Sequence, residues 1–92
     1  MDKIALDWTM RLIGFIRSKE RLEMMVSKIA TACREQRNPI FEQSLLKLMR
    51  DERPEIRHMA YENLNICQEI LSKKAQKKLE EYRTENLTDK GG

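Results

Sequence analysis

Apolar residues recur every three or four positions through most of this chain, the spacing that places side chains on one face of an α-helix. The most regular stretch is 45–71, where one helix ends, a short charged turn follows and Pro54 opens a second helix. Proline suits a first helical position because the backbone N–H that it lacks has no helical partner there. The pattern therefore predicts a helical hairpin, whose second helix has this apolar stripe: Ile56, Met59, Ala60, Leu64, Cys67, Ile70 and Leu71.

In the chain before this hairpin, residues that suit helix caps predict the starts of three helices. Asp2 is the expected N-cap of a first helix that runs to about residue 17, and Ser18 that of a second helix over 19–36. A third helix is expected over 40–50, with Asn38 as its cap and Pro39 at its start.

The buried face of the first helix is assigned to residues that recur at helical spacing. Trp8, the only tryptophan of the chain, belongs to this set. It is therefore expected in the core rather than as an exposed anchor for a partner. The predicted face comprises Ile4, Trp8, Leu12, Phe15 and Ile16.

The apolar spacing continues beyond Leu71 through Ala75, Leu79 and Tyr82. This predicts either one helix of about thirty residues or two helices divided near Ser72, and a helix that long is unusual in a globular protein. The last helix could fold back as a cap or extend from the fold. We expect one helical domain over 1–83 and a disordered polar tail over 84–92.

We expect an all-α fold of four to five helices, arranged as two stacked antiparallel helical hairpins or as a small helical bundle, and composition supports the helical class. The 92 residues are 40% hydrophobic and 36% charged, with only three glycines and two prolines to interrupt helices. The 18 basic and 15 acidic residues give a net charge of +3, but the two signs are mixed along the chain. A dedicated nucleic-acid binder usually concentrates its positive charge on one face, so that function is not favoured.

The chain also contains an approximate internal repeat. When it is shifted by 34 residues, the second helix aligns with the fourth, and such a period is typical of helical-repeat proteins. The matched pairs are Leu12 with Leu46, Leu22 with Ile56, Met25 with Met59, Val26 with Ala60, Ala32 with Ile66 and Cys33 with Cys67.

The second copy resembles one unit of the HEAT/armadillo-like repeat family, in which an acidic turn and a proline separate two helices. The residues that match this pattern are Asp51, Pro54, Ile56, Arg57, Ala60 and Leu64. The first copy departs from it, since Arg17 stands at the Asp position and Glu23 at the Arg position. We hypothesise that each turn has its own opposite-charge pair, or that the two turns pair with each other.

The resemblance implies a protein-binding surface on the second helix of each hairpin. Tyrosine and arginine are enriched among the residues that dominate binding energy. The implied partner-binding residues are Arg21, Lys28, Arg57, His58, Tyr61 and Asn65. Two hairpins are fewer than the three or so repeats that normally stabilise such an array. Either the C-terminal helix or a second copy of the chain is thus expected to cover the ends, and a homodimer stays an alternative.

Four lysines form a stripe along the last predicted helix: Lys73, Lys74, Lys77 and Lys78. Such a stripe suits phosphates of nucleic acids or lipids, or an acidic protein, but an ordinary solvated helix surface is the favoured explanation. A single aromatic residue, Tyr82, accompanies the lysines, so a platform for stacked bases is not indicated.

Catalytic and metal chemistry has little support in the sequence. His58 is the only histidine, and no glycine-rich phosphate loop or Cys/His cluster is present. Cys33 and Cys67 are expected as buried free thiols, with a disulfide as the alternative. No cofactor is predicted. Neither a signal peptide nor a membrane span is expected, and the protein is therefore expected to be cytoplasmic.

These patterns favour a non-catalytic protein–protein interaction module, an adaptor or regulator that acts through its helical surface. One alternative is a nucleic-acid-associated regulator that uses the basic C-terminal helix. The other is an accessory subunit of an enzyme complex.

Overall fold

The computed structural model describes residues 1–86. These residues form five α-helices and one 3₁₀ turn, and no strand occurs among them. The elements are α1 (Lys3–Ile13), α2 (Lys19–Gln36), α3 (Pro39–Leu48), α4 (Pro54–Ile66), the 3₁₀ turn (Gln68–Ile70) and α5 (Lys73–Asn86). The prediction of an all-α fold is confirmed.

Local capping explains where the helices begin. The side chains of Asp2, Ser18 and Asn38 each accept a hydrogen bond from a backbone N–H in the first turn of the following helix. Pro39 and Pro54 occupy the first positions of α3 and α4. The predicted bounds of α2 and its cap are therefore confirmed.

In the described chain, α3 contacts each of the other four helices. The contacts arrange α1, α3 and α5 side by side in one layer and α2 and α4 in the other. The α1–α2 and α3–α4 hairpins are thus stacked, and α5 adds a third helix to the first layer. This arrangement leaves the outer side of α3 between α1 and α5.

The core follows the 34-residue offset only in part, since three of the six matched pairs are buried in both copies. Phe41 and Leu45 of α3 are completely enclosed between the two layers. The pairs that are buried in both copies are Leu22 with Ile56, Val26 with Ala60 and Cys33 with Cys67. The other three pairs differ. Ala32 is buried whereas Ile66 is 72% exposed at the end of α4, Leu12 is 47% exposed whereas Leu46 is half-buried, and Met25 is half-buried whereas Met59 is buried.

The predicted buried face of α1 is wrong. The helix ends at Ile13, and its covered side consists of Leu6, Met10 and Ile13. These residues have the same i, i+4, i+7 spacing as the predicted face, so periodicity alone could not select between the two sides. Contact with α2 and α3 selects the side with the smaller residues. The residues left in solvent are Ile4, Trp8, Leu12 and Phe15, whereas Ile16 is half-buried.

The C-terminal helix folds back onto the domain. The helix that begins at Pro54 ends at Ile66 and a 3₁₀ turn follows, so of the two alternatives left by the sequence, two helices divided near Ser72 is the correct one. α5 packs on α3 and α4 through its buried residues Ala75 and Leu79. It continues to Asn86, beyond the predicted domain end at 83, and the rest of the predicted tail, 87–92, lies outside the described residues.

Candidate partner-binding surfaces

Arg53 ties the turn between α3 and α4 to the end of α1. Its guanidinium donates hydrogen bonds to both carboxylate oxygens of Asp51, at 2.9 and 3.1 Å. Its Nη1 also donates to the carbonyl oxygen of Ile13 at 3.0 Å. This carbonyl lies in the last turn of α1, where backbone oxygens lack helical partners. The side-chain hydrogen bonds from Arg53 are the main reason why the pKa of Asp51 is lowered.

Arg57 supports the same turn from α4. Its Nη1 donates to the backbone carbonyl oxygen of Asp51 at 2.8 Å, whereas the Asp51 carboxylate pairs with Arg53. The hypothesised side-chain pair between Asp51 and Arg57 is therefore not formed. Within residues 1–86, no ion pair joins Arg17 to Glu23 either. The turn is thus stabilised by the ion pair between Arg53 and Asp51 and by hydrogen bonds from Arg57 to its backbone carbonyl oxygens.

This turn lies at one end of a groove of about 1590 Å³ that is open to solvent. The end of α1 and one side of α5 form its walls, and α3 with the following turn forms its floor. Much of its lining is apolar and partly or fully buried. The apolar residues are Met10, Ile16, Leu46, Leu48, Met49 and Tyr82, with the exposed Phe15 at the edge.

The charged lining of the groove is mainly basic. Among the described residues that line it, seven are basic and four are acidic, an excess of three positive charges. Arg53 pairs with Asp51, and Lys78 lies 3.9 Å from Glu81, which leaves the excess unchanged. The remaining charged residues are Arg11, Arg17, Lys47, Arg50, Lys74, Glu52 and Glu85.

The predicted lysine stripe divides between two sides of α5. Lys74 and Lys78 line the groove, whereas Lys73 and Lys77 are exposed elsewhere on the helix. Residues four apart share a side of a helix, and adjacent residues point about 100° apart. The four lysines therefore form two separate rows rather than one surface.

Three of the predicted partner-binding residues make contacts within the fold. Tyr61 is buried and stacks on Tyr82, with 4.8 Å between the ring centroids. Its hydroxyl accepts a hydrogen bond from Arg83 Nε at 3.0 Å, and the side-chain oxygen of Asn65 accepts from Arg83 Nη2 at 3.1 Å. Arg57 is half-buried against the turn. The expectation that Tyr61 is exposed is wrong, because α5 packs across this part of α4.

The other three predicted residues are exposed. Arg21 and Lys28 lie on α2, and His58 lies on α4 with its Nε2 3.2 Å from a carboxylate oxygen of Glu62. Within the described part of the chain, none of the six predicted residues lines the groove. The structure therefore does not bring the predicted set together.

Sequence reasoning missed the groove because its lining comes from three helices that are distant in the chain. Met10, Lys47 and Arg50 lie on its surface, and none of them belongs to a recognisable motif. The second apolar side of α1 was no signal for it, because of Ile4, Trp8, Leu12 and Phe15 only Phe15 lines the groove.

The two cysteines offer little reactivity. Cys33 and Cys67 are buried and free, as predicted. Burial disfavours the thiolate and is the main reason why the pKa of Cys33 rises to about 11 and that of Cys67 is raised. Since the thiolate is the nucleophilic form, both thiols are poorly suited to covalent chemistry.

No helix among residues 1–86 has the length and apolar character needed to cross a bilayer. In the same residues, no three His, Cys, Asp or Glu side chains are grouped so that they could bind a metal ion. Comparisons of the chain with protein-family models, curated proteins and solved structures found no match.

Proposed function

We propose that this protein is a non-catalytic interaction module that binds an acidic, amphipathic segment of another protein in the groove. The observation that carries this proposal is the combination of apolar lining residues from all three sides of the groove with three excess positive charges. The apolar residues supply surface for burial, and the charges select the sign and orientation of the bound segment.

The size of the groove favours a peptide over a small molecule. Its volume of about 1590 Å³ exceeds the roughly 300–1,000 Å³ of usual small-molecule sites. Met10 and Met49 contribute flexible thioether side chains to its lining, which adapt readily to different apolar side chains. A helical segment with one apolar face matches this surface.

The recurrence of buried positions between α2 and α4 supports the proposed relation to helical-repeat interaction proteins. The groove, however, lies on the layer of α1, α3 and α5. The proposed binding surface therefore differs from the surface of α2 and α4 that the resemblance implies.

The proposal is tested with a labelled synthetic peptide and fluorescence anisotropy. The peptide is about 16 residues long, enough for a marginal helix, with leucines at i, i+3, i+4 and i+7 and glutamates on the other face. A peptide of the same composition in scrambled order is the control for non-specific charge attraction. We expect the patterned peptide to bind more tightly, and equal binding of the two contradicts the proposal.

α5 provides a matched pair of protein variants. The double variant K74E/K78E reverses two charges inside the groove, and K73E/K77E makes the same change on the other row of the same helix. We expect K74E/K78E to weaken peptide binding about tenfold, as the loss and reversal of two exposed charge contacts implies. K73E/K77E should have a much smaller effect. Equal losses in both variants contradict binding in the groove.

A nucleic-acid-associated role is the second candidate, because all four lysines of α5 are exposed. Its test is a titration of duplex DNA and duplex RNA at several salt concentrations. Affinity that falls steeply with salt, and that both lysine variants reduce alike, supports this candidate. Absence of binding at low salt eliminates it.

A further inference from the structure

α1 is apolar on two opposite sides, and within residues 1–86 only the side toward α2 and α3 is covered. A helix that is apolar all round is ordinarily enclosed by protein. We refer to its uncovered side as the α1 stripe. It consists of three residues of the helix, Ile4 (69%), Trp8 (59%) and Leu12 (47%), together with Phe15 (83%) two residues beyond the helix end.

The α1 stripe is large for the surface of a monomer. Its two aromatic and two aliphatic side chains together expose on the order of 500 Å², the size of the largest apolar patch on a typical monomer. A stable interface buries about 800 Å² on each partner. The stripe and the charged residues beside it together approach this area.

The charges beside the stripe select its partner. Asp7 and Arg11 are exposed and four residues apart, so they lie on the same side of α1 next to the stripe. When two antiparallel helices are related by a twofold axis, the same side of each helix meets, and residues symmetric about the centre face each other. If the twofold axis passes near Thr9, Asp7 of each copy faces Arg11 of the other, which gives two opposite-charge pairs. A parallel pair brings like charges together instead.

We propose that this protein forms a homodimer by antiparallel pairing of α1 with α1 of a second copy. Trp8 then packs against Leu12 of the second copy, and Ile4 packs against Phe15. The midpoints of these two pairs along the sequence lie within about one residue of Thr9, the midpoint of the pair of Asp7 with Arg11, so one twofold axis serves all three. α5 packs on α3 and α4, so the second copy covers the end of the stack that α5 leaves open.

Sedimentation equilibrium and the emission of Trp8 test the dimer directly. We expect a species of twice the 11.0 kDa chain mass. We also expect the emission maximum to move to shorter wavelength with rising concentration, because the indole leaves water. A protein that stays monomeric up to about 1 mM, where even weak complexes form, overturns the proposal. In that case another partner covers the stripe.

Two isoleucines supply a matched control. Ile4 lies in the stripe and is 69% exposed, whereas Ile66 lies on α4 and is 72% exposed. We expect Ile4→Glu to weaken the dimer at least about tenfold and Ile66→Glu to leave it unchanged, with circular dichroism confirming that both fold. Glutamate in the first turn of α1 suits the helix dipole. Equal effects of the two substitutions overturn the proposed interface.

A charge exchange tests the orientation. Asp7→Arg replaces both attractive pairs by repulsive ones and should weaken the dimer, whereas D7R/R11D restores opposite charges and should recover its affinity. A double variant as weak as the single variant overturns the antiparallel arrangement. Arg11 and Phe15 also line the groove, whereas Ile4 and Trp8 do not, so Ile4→Glu is the variant that distinguishes a failure of the dimer from a failure of peptide binding.

Discussion

Glu42 on α3 binds Ser72 at the start of α5 by two hydrogen bonds. One carboxylate oxygen accepts from the backbone N–H of Ser72 and the other from its hydroxyl, each at 2.8 Å. The Ser72 oxygen in turn accepts from the backbone N–H of Ala75 at 3.1 Å, so this residue also caps α5. A single carboxylate on the central helix thus holds the residue that caps the last helix.

This relationship predicts coupled effects of substitution. We expect Glu42→Ala to lower the free energy of unfolding by about 1–3 kcal/mol, because hydrogen bonds to a charged group are lost. Ser72→Ala should cost at least about 1 kcal/mol through the lost cap. Denaturant unfolding of the double variant should show less than the summed loss. Glu69→Ala, at an exposed acid that makes no hydrogen bond within residues 1–86, is the control, and strictly additive losses contradict the coupling.

The lowered pKa of Asp51 makes part of the stability depend on pH. A carboxyl group with a depressed pKa in the folded state contributes stability above its unfolded pKa of about 3.9, and this contribution is lost as pH falls through the folded value. Asp51→Asn should therefore cost roughly 1 kcal/mol at neutral pH. The difference from the wild type should shrink as pH falls below about 3.9.

Urea unfolding at a series of pH values measures this difference. Glu52→Gln is the neighbouring control, since the side chain of Glu52 makes no ion pair within the described chain. A difference between Asp51→Asn and wild type that is constant from pH 7 to pH 3 contradicts the assignment.

The two thiols should react only when the structure opens. Because burial is the main cause of the raised pKa of Cys33, to about 11, and of Cys67, the reactive thiolate is scarce in the folded state. We expect slow modification by a thiol reagent in buffer and rapid modification of both cysteines in urea. Folded protein that reacts at the urea rate contradicts the burial of these residues.

Tyr61 and Tyr82 stack between α4 and α5. Removal of the hydroxyl should lower the free energy of unfolding at Tyr61 more than at Tyr82. Tyr61→Phe removes the acceptor that Arg83 Nε contacts at 3.0 Å, and should lower the free energy of unfolding by about 1 kcal/mol. Tyr82→Phe keeps the ring stack and should change it by less than about 0.5 kcal/mol. Thermal unfolding of both variants makes the comparison, and equal losses contradict a specific role for the Tyr61 hydroxyl.

Local features were predictable from the sequence because they depend on neighbouring residues. Ser18, Asn38 and Pro54 act on the turn in which they lie, so the starts of α2, α3 and α4 were predicted correctly. The burial of Tyr61 was not, because it depends on α5 returning to α4 from further along the chain. The orientation of α1 also failed, since two apolar sides with the same spacing compete and only packing decides between them.

The position of α3 has a consequence for the exchange of backbone amides with solvent. This helix has only ten residues, yet it contacts every other helix of the described chain. Its amides should therefore exchange only when the whole domain unfolds, whereas α1, which packs on α2 and α3, can open at lower cost. Association through α1 would protect the helix that opens most easily, so exchange rates along α1 would report the assembly state of the protein.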